Sequence, residues 1–177
     1  PRHPTMANWI KLAVLAVAAV VVVQLFVQRS QPALDAGSAA PPLVLPDLQG
    51  RTIDLAGLKG KVVAVNFWAT WCGPCEVEIP ELAEVWNGHK DRCFELLGVA
   101  EESAREDVQA MARSIPYPIL VDERAEALSA WRVVGYPRTY LVDAEGNVRQ
   151  VFQGAISRRQ LEEAMRPLLP SSCPARG

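Results

Sequence analysis

Cys72 and Cys75 stand three residues apart around Gly73-Pro74. On one helical turn that spacing brings two sulfurs within disulfide reach without distorting the backbone. The run before them, Val62 to Trp68, is apolar, β-branched and ends in aromatics, which predicts a buried strand. Pro74 suits the first turn of a helix, where a missing N–H costs least. The pair is therefore expected where a strand ends and a helix begins. Cys72 would take the N-cap, beside unpaired N–H groups and the positive end of the helix dipole, and both stabilise a thiolate. Cys75, one turn in, would be more buried and would resolve a mixed disulfide by attacking Cys72. The implied chemistry is reversible thiol–disulfide exchange, with no cofactor.

Other uses of two cysteines fit less well. A static bridge needs neither a strand–turn–helix frame nor the small, rigid Gly-Pro insert. A zinc site would have to complete its ligands from Cys93, Cys173, His3 or His89, none of them paired at metal-ligand spacing. A copper site favours imidazole or thioether beside thiolate, and His89, in Asn87-Gly88-His89-Lys90, has no setting of a ligand. No metal is expected. Half of the 177 residues are apolar, which excludes wholesale disorder. Residues 1–30 carry Arg2, Lys11 and Arg29 and no acid, so the rest stands at −5 within a net charge of −2. An acidic body without a glycine-rich phosphate loop excludes nucleic acid as the main partner.

Around the cysteine pair the pattern alternates. A helix follows Gly73-Pro74, with Val77, Ile79, Leu82, Ala83, Val85 and Trp86 as its expected apolar face and a kink expected at Pro80. Strands are predicted at Phe94–Ala100, Ile119–Val121, Thr139–Val142 and Val148–Phe152, the last two joined by the turn Asp143–Asn147. Helices are predicted at Arg105–Ser114, opened by Ser103, at Glu123–Trp131, and from Ser157 to about Leu169. Two short strand-like pieces around Gln49-Gly50, within Pro42–Leu58, read as a hairpin. Such alternation demands an α/β fold, a central mixed sheet with helices on both faces.

Ile10 to Val27 has only Lys11 and Gln24 as polar residues, and its length at helical rise, about 27 Å, approaches the hydrocarbon thickness of a bilayer. Trp9, Lys11, Gln28 and Arg29 flank it as interfacial anchors do. The expected organisation is an N-terminal extension (1–9), a single transmembrane signal anchor (10–28), a flexible Ala/Ser/Gly/Pro-rich linker (29–41), one catalytic domain (42–170) and a tail (171–177). The competing reading of the apolar segment is a signal peptide cut near Ser38-Ala39-Ala40, for which the apolar run is long.

Asn66-Phe67-Trp68-Ala69-Thr70-Trp71-Cys72-Gly73-Pro74-Cys75 resembles the active-site signature of thioredoxins. The chain is most similar to the membrane-anchored extracytoplasmic branch represented by TlpA, ResA and CcmG, over residues 42–169. Four further features carry the likeness: Leu55-Ala56-Gly57-Leu58-Lys59-Gly60-Lys61, Glu78-Ile79-Pro80, the insert from about Glu101 to Val121, and Gly135-Tyr136-Pro137-Arg138-Thr139. The resemblance implies a thioredoxin-like three-layer fold and a cis peptide bond at Pro137, beside Cys72. It also implies Glu78 as general base for Cys75, since Asn66 stands where cytosolic thioredoxins have an aspartate. Trp71, Gly73, Pro74, Asn66, Tyr136 and Pro137 would support the active site, with Trp71 shielding the disulfide and Trp68 packed beneath the helix. Tyr136, bulky for its position, bears on partner choice.

The Gly-Pro insert is that of thioredoxin, a reductant near about −270 mV, which favours a disulfide reductase over an oxidant. The expected setting is a single-pass protein of the bacterial inner membrane, held by lipid along 10–28, with its catalytic domain in the periplasm. The resemblance implies a transmembrane thiol transporter as electron donor. Oxidised protein dithiols, such as those of an apocytochrome c or a copper-site assembly factor, are the implied substrates. In such an oxidising compartment Cys93 and Cys173 either pair as a structural disulfide or stay free; spacing does not choose. The rival class is a redox-active metallochaperone or binding module using the same cysteine pair. A peroxidase would need a lone peroxidatic cysteine, and Cys72 is not so placed.

Overall fold

The computed structural model describes residues 6–29 and 34–173. Parts of the expected extension, linker and tail lie outside the described residues. The chain divides into two units, one ending at residue 33. The first holds one helix, α1 (Met6–Arg29), whose 24 residues reach about 36 Å at α-helical rise. Among the described residues no helix is long and apolar enough to cross a membrane. Side chains of α1 are described without a break only over 11–24, shorter than a span requires. The expected transmembrane segment, 10–28, extends outside them.

The second unit contains a five-stranded sheet in the order β5-β4-β3-β6-β7. Its strands are β3 (Val62–Trp68), β4 (Phe94–Ala100), β5 (Ile119–Val121), β6 (Arg138–Val142) and β7 (Val148–Gln153). β3, β4 and β5 run parallel, and β6 and β7 run antiparallel to their neighbours, so the sheet is mixed. Ahead of it β1 (Val44–Pro46) and β2 (Thr52–Asp54) form the expected antiparallel hairpin. The Asp47 carboxylate accepts from the Gln49 and Arg51 N–H groups and closes its turn.

Every residue of β3 is buried because both faces of the sheet are covered. Val62, Ala64 and Trp68 pack beneath α2 (Gly73–His89), α3 (Arg105–Ala112) and α5 (Arg158–Met165), which contribute Leu82, Val85, Val108, Leu161 and Met165. Val63, Val65 and Phe67 face the other way, toward α4 (Glu126–Ala130), Trp131 and the hairpin residues Leu43 and Leu45. Phe67, Trp131 and Tyr140 meet there with ring centroids 5.1–5.8 Å apart. This is the three-layer arrangement the alternating pattern required.

Several local expectations are corrected. Val77 is 72% exposed and not part of the buried face of α2. That face is Cys75, Glu78, Ile79, Leu82 and Val85, one stripe at helical spacing, and Val77 falls off it. Pro80 does lie inside α2, as expected, and the helix runs on to His89. Ser103 does not open α3, whose N-cap is Ala104 with no side-chain bond; the Ser103 hydroxyl accepts instead from the Thr70 N–H, 2.9 Å away. α4 starts at Glu126, not Glu123, because the Asp122 carboxylate receives the N–H groups of Glu126, Ala127 and Leu128. The α helix after Ser157 ends at Met165 and tightens into a 3-10 turn over Arg166–Leu168. Ser157 does cap it, in a reciprocal arrangement with Gln160.

Candidate active site

β3 delivers the chain to Trp68, and Ala69–Trp71 turn it into the N-terminus of α2. Cys72 is the N-cap residue, with extended φ −90° and ψ 100°, and its Sγ accepts from the Cys75 N–H at 3.3 Å. Cys72 is 5% and Cys75 1% exposed, with Cα atoms 5.3 Å apart and the two sulfurs bonded. The chain is thus in its oxidised state, with the outer sulfur at Cys72, as the spacing predicts. After reduction, the free N–H groups of the first helical turn would face a Cys72 thiolate.

Glu78 lies one turn beyond Cys75 on the same buried stripe and is 1% exposed. It is no surface carboxylate. Its Oε2 accepts from the Asn66 amide at 3.3 Å, and its Oε1 from the Ile156 N–H at 3.3 Å. The same Asn66 amide nitrogen donates to Thr139 Oγ1 at 2.9 Å. Burial pushes the Glu78 carboxyl up to about 7, and the hydrogen bonds from Ile156 and Asn66 hold it back from rising further. A carboxyl poised there exchanges protons readily near neutral pH.

Residues 36–151 match the AhpC/TSA family. The thiol–disulfide oxidoreductase ResA of Geobacillus kaustophilus is 34% identical, covering 78% of this chain and 80% of that protein. ResA of Bacillus subtilis is 34% identical, with 76% of each covered. The crystal structure of a thiol:disulfide interchange protein of the thioredoxin family from Chlorobium tepidum superposes with a TM-score of 0.70. It is 30% identical and covers 77% of this chain and 99% of that one. The chain belongs to the AhpC/TSA family. It is a thioredoxin-like thiol–disulfide oxidoreductase, with Cys72 and Cys75 close enough for a dithiol–disulfide cycle.

The family frame places the other expected residues. The Tyr136–Pro137 peptide bond is cis, and Pro137 is buried at the start of β6. Trp71 is 64% exposed; its indole N–H donates to the Glu102 carbonyl at 3.0 Å, and its ring meets Tyr136 edge-on at 5.8 Å. Gly73 and Pro74 are exposed at the first turn of α2, and Trp68 is sealed beneath it. Cys93 and Cys173 are bonded to each other and tie the end of the described chain to the start of β4.

The oxidoreductase has a second layer that single-sequence patterns did not indicate. Glu101 N–H donates to the Trp68 carbonyl, and the Ser103 hydroxyl bridges the Glu101 carbonyl to Thr70. Residues 101–103 thus brace the cysteine loop from behind. Glu101 is 1% exposed. Burial, and then the neighbouring Asp122 carboxylate, push its carboxyl up to about 9. Glu102 holds the Tyr136 hydroxyl at 3.2 Å, so the residue before the cis proline is fastened to this brace. The pairing of β3 with β4, remote in sequence, places residues 101–103 behind the cysteine loop, and β5 and β6 bring Asp122 and Tyr136 to them.

Proposed function

We propose that the chain is an envelope protein-disulfide reductase, anchored by residues 10–28 with its catalytic domain outside the cytoplasm. The reading is carried by one observation: a helix-capping Cys72 joined to a buried Cys75, with the carboxyl of Glu78 poised near neutrality on the same stripe. The Cys72 thiolate attacks one sulfur of a substrate disulfide and releases the other as a thiolate. Cys75 then gives its proton to Glu78 and attacks Cys72 Sγ. The second substrate sulfur leaves, and two electrons have passed to the substrate. The Cys72–Cys75 disulfide left behind requires an external dithiol donor, for which a transmembrane thiol transporter is suited. Haem-attachment cysteines of an apocytochrome c, in cytochrome c biogenesis, or copper-site assembly cysteines are suitable acceptors. The Gly-Pro insert favours this direction.

Mixed-disulfide trapping tests the reading. Cys75→Ser in the native envelope should accumulate covalent adducts of Cys72 with oxidised protein dithiols, released by a reductant. Absence of such adducts, with stoichiometric metal retained by the wild-type pair, would leave a metallochaperone in its place.

A further inference from the structure

Glu78 is sealed from solvent, yet a general base must recover its proton state in every cycle. Four groups face its carboxyl: the Asn66 amide from β3, the Thr139 hydroxyl from β6, the Ile156 N–H ahead of α5, and Tyr117 just before β5. Of these only Tyr117 titrates, and burial followed by the Glu78 charge keeps its phenol neutral. On α2 itself Cys75 lies one turn back. Glu81, one turn on, accepts the Arg158 N–H at 2.7 Å, and Glu76 is exposed.

Three buried polar atoms in this region have no protein partner: Asn66 Oδ1, Trp68 Nε1 and Tyr117 Oη. Their residues are 1%, 1% and 3% exposed. Asn66 and Trp68 are two apart on β3 and share the face beneath α2. Across the ladder Asn66 pairs with Gly98. The point a Cβ on Gly98 would occupy lies 3.1 Å from Trp68 Nε1 and 3.1 Å from Tyr117 Cε2. The indole nitrogen and the phenol ring therefore approach within about 6 Å of each other. Two unpartnered donors, an indole N–H and a phenol O–H, and one unpartnered amide acceptor therefore belong to residues that neighbour one another, and Asn66 bonds the Glu78 carboxyl through its other amide atom. That set complements one water, which typically makes about three hydrogen bonds when buried. Tyr117 also lines an open groove of about 570 Å³ with Leu48, Arg51 and Trp86, a side from which water can enter.

We propose that Asn66, Trp68, Tyr117 and Glu78 enclose a binding site for one internal water, and that Tyr117 acts through it as a positioning residue for the proton Glu78 exchanges with Cys75. The second half rests on Glu78 being the base. The water donates to the carboxylate and so favours its charged form, while the Tyr117 and Trp68 donors hold the water in place.

The test uses the full oxidised chain. The carbon-13 shift of the Glu78 carboxyl is followed against pH in wild type and Tyr117→Phe. The midpoint should rise by about half a pH unit or more when the hydroxyl is removed. A packing role alone would lower stability and leave the midpoint in place, and that result overturns the proposal. In wild type the Trp68 indole N–H should show a magnetisation-transfer peak to a long-lived water, and absence of that peak also overturns it. This second measurement stands even if Tyr117→Phe does not fold. Because the titration reads Glu78 directly, it is independent of catalysis. Failure of Glu78 as base would show instead as unchanged turnover in Glu78→Gln.

Discussion

At the scale of single residues the two cysteines divide their labour by position on α2. Cys72 caps the helix and is the more exposed, while Cys75 is 1% exposed. Alkylation of the reduced protein near neutral pH should therefore label Cys72 well before Cys75, and equal labelling would refute the assignment. Glu78→Gln should keep the first attack by Cys72 and slow resolution by Cys75, by about 10²-fold or more. Mixed disulfides would accumulate, and a wild-type turnover rate across neutral pH would exclude the role. The same carboxyl affects stability. Its ordinary value is 4.5 and its folded value about 7. Between those limits the native state keeps a proton that the unfolded chain has released, so stability falls as pH rises through this window. The loss amounts to about 3 kcal/mol in all. Glu101, raised to about 9 by burial and then by the Asp122 carboxylate, adds a decline of its own across the same window and continues it above pH 7. Urea unfolding of the oxidised protein at several pH values should show the decline, and Glu78→Gln should make it shallower below pH 7, leaving the part that Glu101 contributes.

At the scale of elements, β4 must pass close beneath the indole of Trp68, and Gly98 permits it. A Cβ there would come within 2.7 Å of Ile119 Cδ1. Gly98→Ala should cost about 1–3 kcal/mol through overpacking against Ile119, Trp68 and Tyr117, read as a lower urea midpoint, and a neutral result would mean the end of the Ile119 side chain swings aside. The Cys93–Cys173 bridge joins positions 80 residues apart and tethers the chain beyond α5 to the start of β4. Replacing both cysteines by Ser should lower stability by about 2–4 kcal/mol, since the closed loop is long. Disulfide exchange at Cys72 should survive, because neither residue touches that site. Loss of exchange in a folded double variant would reveal a redox relay between the pairs.

For the molecule as a whole, a dithiol reductase facing an oxidising compartment needs an electron supply from the other side of a membrane. In the proposed function the apolar segment 10–28 would be that anchor. Alkaline phosphatase fused after Gly177 should be active, and a fluorescent protein fused there dark. The reverse pattern would put the domain in the cytoplasm and remove the proposed compartment.

The strand–turn–helix around Cys72 and Cys75 was legible in the sequence, as were the hairpin and the bounds of β3, β4 and β5. Each depends on local signals: apolar runs, a proline in a first helical turn, and turn residues between strands. Glu78 was legible through resemblance, and its helical phase with Cys75 and Leu82 was there to be counted. What surrounds it was not. The exposure of Val77, the transfer of Ser103 from helix cap to brace for Thr70, and the start of α4 at the Asp122 carboxylate all turn on partners from distant segments. The same is true of the site's protonation chemistry. Sequence supplied a glutamate at 78 and another at 101. Only burial in the packed interior, joined at Glu101 by the neighbouring Asp122 carboxylate, raised their proton affinity, because desolvation belongs to the folded chain and not to the sequence.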